Sequence, residues 1–379
     1  MWIRIEELSI EQLKVLARRH ACFYLRPAVW LVAHALSLDR PTALFSLDRP
    51  PVAMRQRHSI ALVLSCCATT LGGGGLSLSG LPWYTKRVVM NVGSNLQPVL
   101  PPENDLNTSA IAFEPIVYCE IPVKHPRLYV VKAAVSDADG LTTMSVYNQD
   151  ALSSSLSAAE DSTWNKADRV MQTPPVIVPV ISMQNVLSSV PPHIDIWLLK
   201  TDMQGFDASA IKAGGDMLSR IHYVHAETYL LGAHPYKTAP GNSFCKDLLP
   251  TLTAKGFAPV GLYREGGIDE AEFERLKSDK MPSGGKFLFK VFTGAKYNKK
   301  HLDEGTQEAQ KFCEREKVFM EERKAAGKVE AKKKLNEADA FFVRIDTKLP
   351  RPVSAGANAT HAISDHHGMW FERHLADRR

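Results

Sequence analysis

The stretch Arg87-Val-Val-Met-Asn-Val-Gly-Ser-Asn95 decides the fold expected for this chain. It predicts an apolar strand that ends in a turn of small residues. Further along, Ile111-Ala-Phe-Glu-Pro115 predicts a second strand that ends in a carboxylate. In a doubly wound sheet, a glycine at the first strand end lets the backbone approach a nucleoside, and an acid at the next strand end accepts hydrogen bonds from the ribose. The pair therefore predicts an α/β sheet that binds a nucleoside.

Other segments extend this pattern of alternating strands and helices. Apolar runs such as Ile194–Leu199, which only Asp195 interrupts, favour buried parallel strands. The segment from Ile194 to Asp207 again ends in polar residues with a glycine. The predicted strands are Arg87–Val92, Ser109–Phe113, Leu128–Ala134, Thr142–Tyr147, Val176–Val180, Ile194–Thr201 and Ile221–Glu227. The predicted helices are Met183–Ser189, Asp207–Ser219 and Asn242–Lys255, with Asn242 as the cap of the last and Gly256 as its terminator. The alternation predicts an α/β fold with a mostly parallel sheet.

Composition limits the classes of function. The chain has 379 residues, of which 45% are apolar, so it can bury a sizeable core. Its net charge of +5 is mild and arises mostly near Lys296–Lys334, which gives no indication of nucleic-acid binding. None of the six cysteines forms a Cys-x-x-Cys pair, which argues against a zinc or thioredoxin-like site. We expect them to be small buried hydrophobes or free thiols rather than a disulfide framework.

The first 80 residues differ from the rest and are predicted to be an N-terminal extension. Within it, Met54–His58 is basic, Ser59–Leu71 is apolar, and small residues follow, which is the layout of a signal peptide or signal anchor at 54–75. One hypothesis makes Met54 the true start. The chain would then enter the secretory pathway or be tethered to a membrane through residues 59–71. The alternative is a buried strand or helix, in which case a cytoplasmic location is expected.

The main domain is predicted to span residues 81–347 and to carry a charged helical insertion at about 296–337. The segment Lys296–Leu335 is dense in Lys, Arg, Glu and Ala, which is typical of a long exposed helix; a partner-binding arm is the alternative. Ala340–Val343 and Lys286–Phe292 compete for the role of the closing strand. Residues 348–379 are predicted to be a loosely ordered tail. Asn107-Thr-Ser109 and Asn358-Ala-Thr360 fit the acceptor pattern for N-glycosylation.

The turn after the first strand is too short to cradle a pyrophosphate. The sequence contains neither G-x-G-x-x-G nor G-x-x-x-x-G-K-[ST], the two glycine-rich phosphate-binding motifs. This argues against nucleoside triphosphates and against a nicotinamide-dependent oxidoreductase. A single glycine of close approach suits a nucleoside without phosphates, such as one joined to an amino acid.

The segments taken together resemble the FkbM family of S-adenosylmethionine-dependent methyltransferases over roughly Lys86 to Val260. The matching segments are Val92-Gly-Ser-Asn95, Ile111-Ala-Phe-Glu-Pro115, Ala134-Val-Ser-Asp-Ala-Asp-Gly140, Leu198–Asp207 and His225-Ala-Glu227. The resemblance implies a Rossmann-like class I methyltransferase fold with a mostly parallel seven-stranded sheet flanked by helices. It also implies S-adenosylmethionine as the cofactor and O-methylation of a sugar, glycan or small metabolite.

The resemblance further implies roles for individual residues. The residues expected to bind the cofactor are Asn91, Gly93, Ser94, Asn95, Glu114, Asp137 and Asp202. Among them, Glu114 would hold the ribose, and Asp137 would lie near the adenine. The candidate bases for the acceptor hydroxyl are Asp202, His225 and Glu227, all near predicted strand ends. A buried structural histidine is the alternative for His225. No metal site and no nucleic-acid partner are expected.

The chain departs from the family pattern in the first loop. Asn91 stands where the family usually has an acid, and Gln97 stands where it has a further glycine. Leu96–Pro102 contains three prolines and cannot form the regular helix that usually follows. These departures suggest an alternative function, a non-catalytic relative that kept the fold as a binding module.

Overall fold

The computed structural model describes residues 76, 78, 80–94, 98–101, 105–116, 125–146, 175–233, 241–264, 270–282, 286–291, 297–327 and 336–348. The predicted signal segment at 54–75, Asn95 and the tail from 349 lie outside these residues. The strands are β1 Arg87–Val92, β2 Thr108–Phe113, β3 Leu128–Val131, β4 Ala134–Ser136, β5 Gly140–Met144, β6 Val176–Ser182, β7 Asp195–Thr201, β8 Ile221–Tyr229, β9 Phe257–Arg264, β10 Phe287–Lys290 and β11 Glu337–Arg344. The helices are α1 Met183–Ser189, α2 Asp207–Ala213, α3 Leu249–Thr253, α4 Glu270–Leu276 and α5 Lys299–Ala325.

The centre of the fold is an eight-stranded mixed sheet in the order β10-β9-β11-β8-β7-β1-β2-β3. The run β3-β2-β1-β7-β8 is parallel throughout. β11 is antiparallel to both β8 and β9, and β10 is antiparallel to β9. The prediction of an α/β fold is confirmed, but the sheet is mixed and has one strand more than the seven expected. Both segments that competed to close the sheet are strands, β10 at its edge and β11 in its interior.

Apolar side chains on both faces bury the sheet, as expected for strands with near-continuous apolar sequence. On one face, Met90 lies opposite Leu199, and Leu199 lies opposite Val224, within the larger hydrophobic cluster. On the other face, Leu198 lies opposite Tyr223, within the smaller cluster. Because successive strand residues alternate between faces, this register fixes which polar side chains can meet at the strand ends.

A small second sheet lies beside the large one, in the order β4-β6-β5. The prediction of a single strand over Leu128–Ala134 is therefore wrong. Its first part is β3 of the large sheet, and Ala134 begins β4 of the small one. The packing is nevertheless continuous, because Val135 and Ile181 belong to the larger hydrophobic cluster. As a consequence, Asp137 follows β4 rather than the third strand of the large sheet.

Two predicted helices are shorter and less regular than expected. The segment predicted as Asp207–Ser219 is α2 followed by a 3-10 helix, Gly215–Arg220, with the break at Gly215, whose φ is +56°. The segment predicted as Asn242–Lys255 is a π-helical turn, Phe244–Leu248, followed by α3. The cap of that turn is Ser243, which accepts from the backbone N–H of Lys246, and not Asn242. Gly256 does follow the helix with a φ of +82°.

The predicted charged helix is α5, which begins at a capping box formed by Asn298 and His301. One side of the helix is exposed, and its other side is buried. Gly305 lies so close to β9 that an added Cβ would come 1.9 Å from the carbonyl oxygen of Pro259. A disulfide joins Cys313 of the helix to Cys245 of the π-helical turn. The expectation of buried or free thiols is therefore wrong for Cys245 and Cys313, because the fold brings together two residues 68 positions apart in the chain.

Candidate functional site

Three predicted site residues meet at the carboxyl ends of adjacent parallel strands. Gly93, Glu114 and Asp202 directly follow β1, β2 and β7. The ladder hydrogen bonds continue into these ends: Gly93 N–H donates to Phe113 O at 3.0 Å, and Asp202 N–H donates to Val92 O at 2.9 Å. The backbone therefore fixes the three residues side by side at one edge of the sheet.

Gly93 has a positive φ of +71° and lies directly against the end of β7. A Cβ at this position would come 1.8 Å from the carbonyl oxygen of Asp202, well inside any real contact. The sequence suggested that this glycine lets backbone approach a ligand. The structure shows that it also lets two strand ends approach each other, which only glycine permits here.

Asn91 is fully buried, and its side chain holds the segment that follows β1. Its Nδ2 donates to Val99 O at 3.0 Å, and its Oδ1 accepts from Val99 N–H at 2.6 Å. An amide can make this paired contact because it both donates and accepts, whereas a carboxylate only accepts. The departure from an acid at position 91 thus has a structural account: Asn91 anchors the proline-rich segment 98–101.

Glu114 directly follows β2, and Ser94 is the second residue after β1. Glu114 is partly exposed, and its Oε1 accepts from Ile116 N–H at 3.1 Å, which orients the carboxylate next to the strand end. Ser94 is 3% exposed. Asn95, the third predicted cofactor residue of this loop, lies outside the described part of the chain.

Asp202 is the most accessible carboxylate of the candidate bases, with 37% of its side chain exposed. Lys200, itself nearly buried, places its ammonium 3.1 Å from Asp202 Oδ2. Gln204 donates to Asp202 Oδ1 at 3.1 Å from a backbone with a φ of +52°. The two neighbours therefore engage both oxygens and hold the carboxylate in one orientation.

A second carboxylate, Asp207, lies behind Asp202 and is completely buried. Both of its oxygens accept from Met203 N–H, at 3.2 and 3.3 Å. Burial, and then the negative charge of Asp202, raise the pKa of Asp207 to about 7. The side chain of Asn242 reaches the same place and caps α2 from outside, because its Oδ1 accepts from Ala208 N–H at 3.0 Å. Sequence reasoning gave neither residue this role, since the hydrogen bond joins Ala208 to a residue 34 positions away in the chain.

His225 and Glu227 lie next to each other on one face of β8, opposite β11. His225 pairs with Phe341 across the strands and stacks on its ring at 4.4 Å, while Glu227 pairs with Asp339. His225 Nε2 lies 2.8 Å from Asp339 Oδ1. His225 has no exposed surface and Glu227 has 4%. The structure thus adds Asp339, a residue that the sequence did not single out, to the polar cluster at this edge.

The charge state of His225 follows from its surroundings. Burial, and then the positive charge of Lys200, lower the pKa of His225 well below its ordinary value, against the opposite influence of Asp202. The imidazole is therefore neutral at neutral pH. A neutral ring must carry its proton on Nε2 to donate to the Asp339 carboxylate. This hydrogen bond fixes the tautomer and the orientation of the ring.

Asp137 does not lie among these strand ends. It follows β4 in the small sheet, is exposed, and accepts at Oδ1 from the Ser136 hydroxyl at 3.1 Å. Its neighbour Asp139 is tied to the start of α1, because its Oδ1 accepts from Ser182 N–H at 2.7 Å.

Comparison with known proteins leaves the site to be judged on its own geometry. No protein-family model matches the chain, and no curated protein matches it significantly. Across the described residues, no group of three or more His, Cys, Asp and Glu side chains is arranged to hold a metal ion. Among the helices of the same residues, none is both long and apolar enough to cross a membrane.

Proposed function

We propose that this chain is an S-adenosylmethionine-dependent methyltransferase that acts on a hydroxyl oxygen of a sugar, glycan or small metabolite. The observation that carries the proposal is the meeting of Gly93, Glu114 and Asp202 where the strand order reverses. From β1 the chain continues to β2 on one side, and it later returns to place β7 on the other. In open α/β sheets, ligands bind in the crevice outside the carboxyl ends at this reversal.

The order of the remaining strands supports a methyltransferase rather than a dinucleotide-binding protein. A dinucleotide-binding sheet runs 3-2-1-4-5-6 with all six strands parallel. Here an antiparallel strand, β11, lies between β8 and β9, which themselves run in the same direction. One antiparallel strand inserted at this place is the arrangement expected for a class I methyltransferase sheet, to which β10 adds an edge strand.

The residues at the strand ends suit a nucleoside joined to an amino acid. The turn after β1 offers one glycine of positive φ rather than a phosphate-binding loop. The partly exposed carboxylate of Glu114 can accept hydrogen bonds from both ribose hydroxyls. Gly93 and Ser94, with Asn95 after them in the sequence, would lie along the methionine part of the cofactor. Asp137 is our candidate on the adenine side.

S-adenosylmethionine would supply an electrophilic methyl group, so the chain itself has to align the acceptor and remove its proton. We assign proton removal to Asp202, because its carboxylate is accessible and is held by Lys200 and Gln204. His225 and Glu227 are too deeply buried to reach an acceptor directly. We assign them a positioning role beneath Asp202, through Lys200 and the hydrogen bond to Asp339.

A binding module that lacks transfer activity is the second candidate. One observation favours it: the side chain of Asn91 is hydrogen-bonded to the backbone of Val99. Asn91 also replaces an acid that the family normally has in the first loop. The loss of that acid removes one contact to the ammonium group of the cofactor.

Calorimetric titration with S-adenosylmethionine tests the first step. The parent chain should bind, and Glu114→Ala should weaken binding by roughly tenfold or more, because a charge-assisted hydrogen bond contributes about 1.5–3 kcal/mol. Glu321→Ala is the matched control, since Glu321 is an exposed acid on α5. No binding by the parent, or equal binding by the parent and Glu114→Ala, would refute the cofactor assignment.

Transfer of a labelled methyl group to pools of glycans and of small molecules tests the second step. Asp202→Asn should abolish transfer while the fold persists. Full activity of Asp202→Asn would remove Asp202 from the mechanism. Cofactor binding without transfer to any pool would favour the binding module.

A further inference from the structure

An exposed turn precedes β2 at the edge of the sheet opposite the candidate site. It contains Asn107, the first residue of the triplet Asn107-Thr-Ser109. The backbone of the turn is well fixed: Asn107 N–H donates to Asp105 Oδ1 at 3.2 Å, and Asn107 O accepts from Lys86 N–H at 2.8 Å. Asn107 itself is exposed, and so is its neighbour Leu106, at 62%. The amide of Asn107 is therefore accessible in the folded chain.

The disulfide between Cys245 and Cys313 is an independent indication of where the chain matures. Its Cα atoms lie 5.6 Å apart, within the normal range for a disulfide. Disulfides form and persist in oxidising compartments such as the lumen of the secretory pathway, and they are rare in the cytosol. The same compartments are where Asn-x-Ser/Thr triplets receive glycans.

We propose that Asn107 is an N-glycosylation site, modified in the oxidising compartment in which Cys245 and Cys313 pair. In the transfer, Nδ2 of Asn107 forms a bond to the first sugar carbon of a lipid-pyrophosphate-linked oligosaccharide. The bond from that carbon to the pyrophosphate breaks, the lipid pyrophosphate leaves, and the amide loses one proton. The two thiols lose two protons and two electrons to a protein or small-molecule disulfide, which is reduced to two thiols.

The order of events follows from the burial of the triplet. The hydroxyl of Ser109 that the triplet requires is fully buried and lies 3.0 Å from the hydroxyl of Thr85. The transfer therefore precedes the pairing of β2 with β1. After folding, the glycan would project from the exposed turn and cover Leu106.

The position of Asn107 also keeps a glycan away from the candidate site. β2 has six residues and runs from the Asn107 turn to Glu114. At about 3.3 Å per residue, the two ends of the strand are roughly 20 Å apart. The proposal does not depend on the proposed enzymatic activity, because it concerns the opposite edge of the sheet.

The test uses the full chain isolated from the cells that produce it. Peptide-N-glycosidase in heavy-oxygen water should convert Asn107 to labelled aspartate in the tryptic peptide Val88–Lys124. Asn91, Asn95 and Asn104 lie in the same peptide outside any triplet, so they control for spontaneous deamidation. Without reduction, Cys245 and Cys313 should be recovered in one cross-linked pair of peptides.

Variants separate the two triplets of the chain. Asn107→Gln should remove the labelled site, and the glycosidase should then no longer lower the mass of the protein. Asn358→Gln should leave both the label and the mass change as they are in the parent. Recovery of the Val88–Lys124 peptide with Asn107 unmodified overturns the proposal, and so does a glycan at Asn358 alone. Free thiols at both Cys245 and Cys313 in freshly isolated protein overturn the assignment of the compartment.

Discussion

Gly93 is the residue on which the geometry of the site depends most directly. Its positive φ and its contact with the Asp202 carbonyl both require the absence of a Cβ. We expect Gly93→Ala to push the ends of β1 and β7 apart, to lower the free energy of unfolding by roughly 1–3 kcal/mol and to abolish cofactor binding. Urea denaturation and calorimetry measure the two effects.

Gly327→Ala is the matched control for that substitution. Gly327 has nearly the same φ, +69°, but a Cβ added there would have nothing within 4 Å. Gly327→Ala should lower the free energy of unfolding only by the strain of the backbone conformation, because no atom clashes with the added Cβ. If the two variants lose equal stability, the close approach of the strand ends is not what requires glycine at position 93.

Asp207 predicts how stability depends on pH. Its pKa of about 7 in the folded chain lies above the ordinary value of 3.8, so between these values the folded state keeps a proton that the unfolded chain has released. The contribution of Asp207 to the free energy of unfolding is therefore lost as the pH rises from about 4 to about 7. Asp207→Asn does not titrate, so its stability relative to the parent should improve across that window.

Urea denaturation at a series of pH values measures this difference. His225, whose pKa is lowered, contributes the opposite slope, but it does so in both proteins and cancels in the comparison. Asp202→Asn removes the negative charge that helps to raise the pKa of Asp207. The pH range over which the contribution of Asp207 to stability is lost should therefore end at a lower pH in this variant. Parallel stability curves for the parent and Asp207→Asn would contradict the prediction.

At the scale of elements, α5 is tied to the segment that follows β8 by two contacts. One is the disulfide between Cys245 and Cys313, and the other is Glu316, whose Oε1 accepts from Leu231 N–H. Glu316 is buried, and this burial raises the pKa of its carboxyl group. The segment predicted from its charges as a long exposed helix thus also braces the strand that carries His225 and Glu227.

The disulfide should contribute strongly to stability. It closes a segment of 68 residues, for which the loss of chain entropy in the unfolded state corresponds to about 4 kcal/mol. We expect Cys245→Ser and Cys313→Ser each to lower the free energy of unfolding by about that amount, and the double variant to lose no more than either alone. Chemical denaturation checks this. Additive losses would mean that the two cysteines act separately.

At the scale of the whole molecule, the proposed cofactor should stabilise the folded chain. Bound at a hundred times its Kd, a ligand adds about 2.7 kcal/mol to the free energy of unfolding. We expect S-adenosylmethionine to raise the Tm measured by thermal denaturation, and NADH at the same concentration to leave it unchanged. A rise with NADH alone would favour the nicotinamide-dependent alternative instead.

The sequence determined by itself which segments form the parallel centre of the sheet. Val88–Met90 and Ile196–Leu199 are continuous apolar runs, and such runs are stable only where both faces of a strand are buried. It also determined that Gly93, Glu114 and Asp202 follow strands, so their meeting at one edge follows from parallel pairing. The fold class and the candidate edge were therefore predictable from local pattern.

Only the tertiary structure decided how distant segments combine. The pairing of Cys245 with Cys313, the contact of His225 with Asp339, and the capping of α2 by Asn242 each join residues from separate parts of the chain. Local periodicity carries no information on such contacts, since they depend on sheet order and on the path of the loops. The same reason explains Asn91: its bond to Val99 exists because the chain folds back over β1.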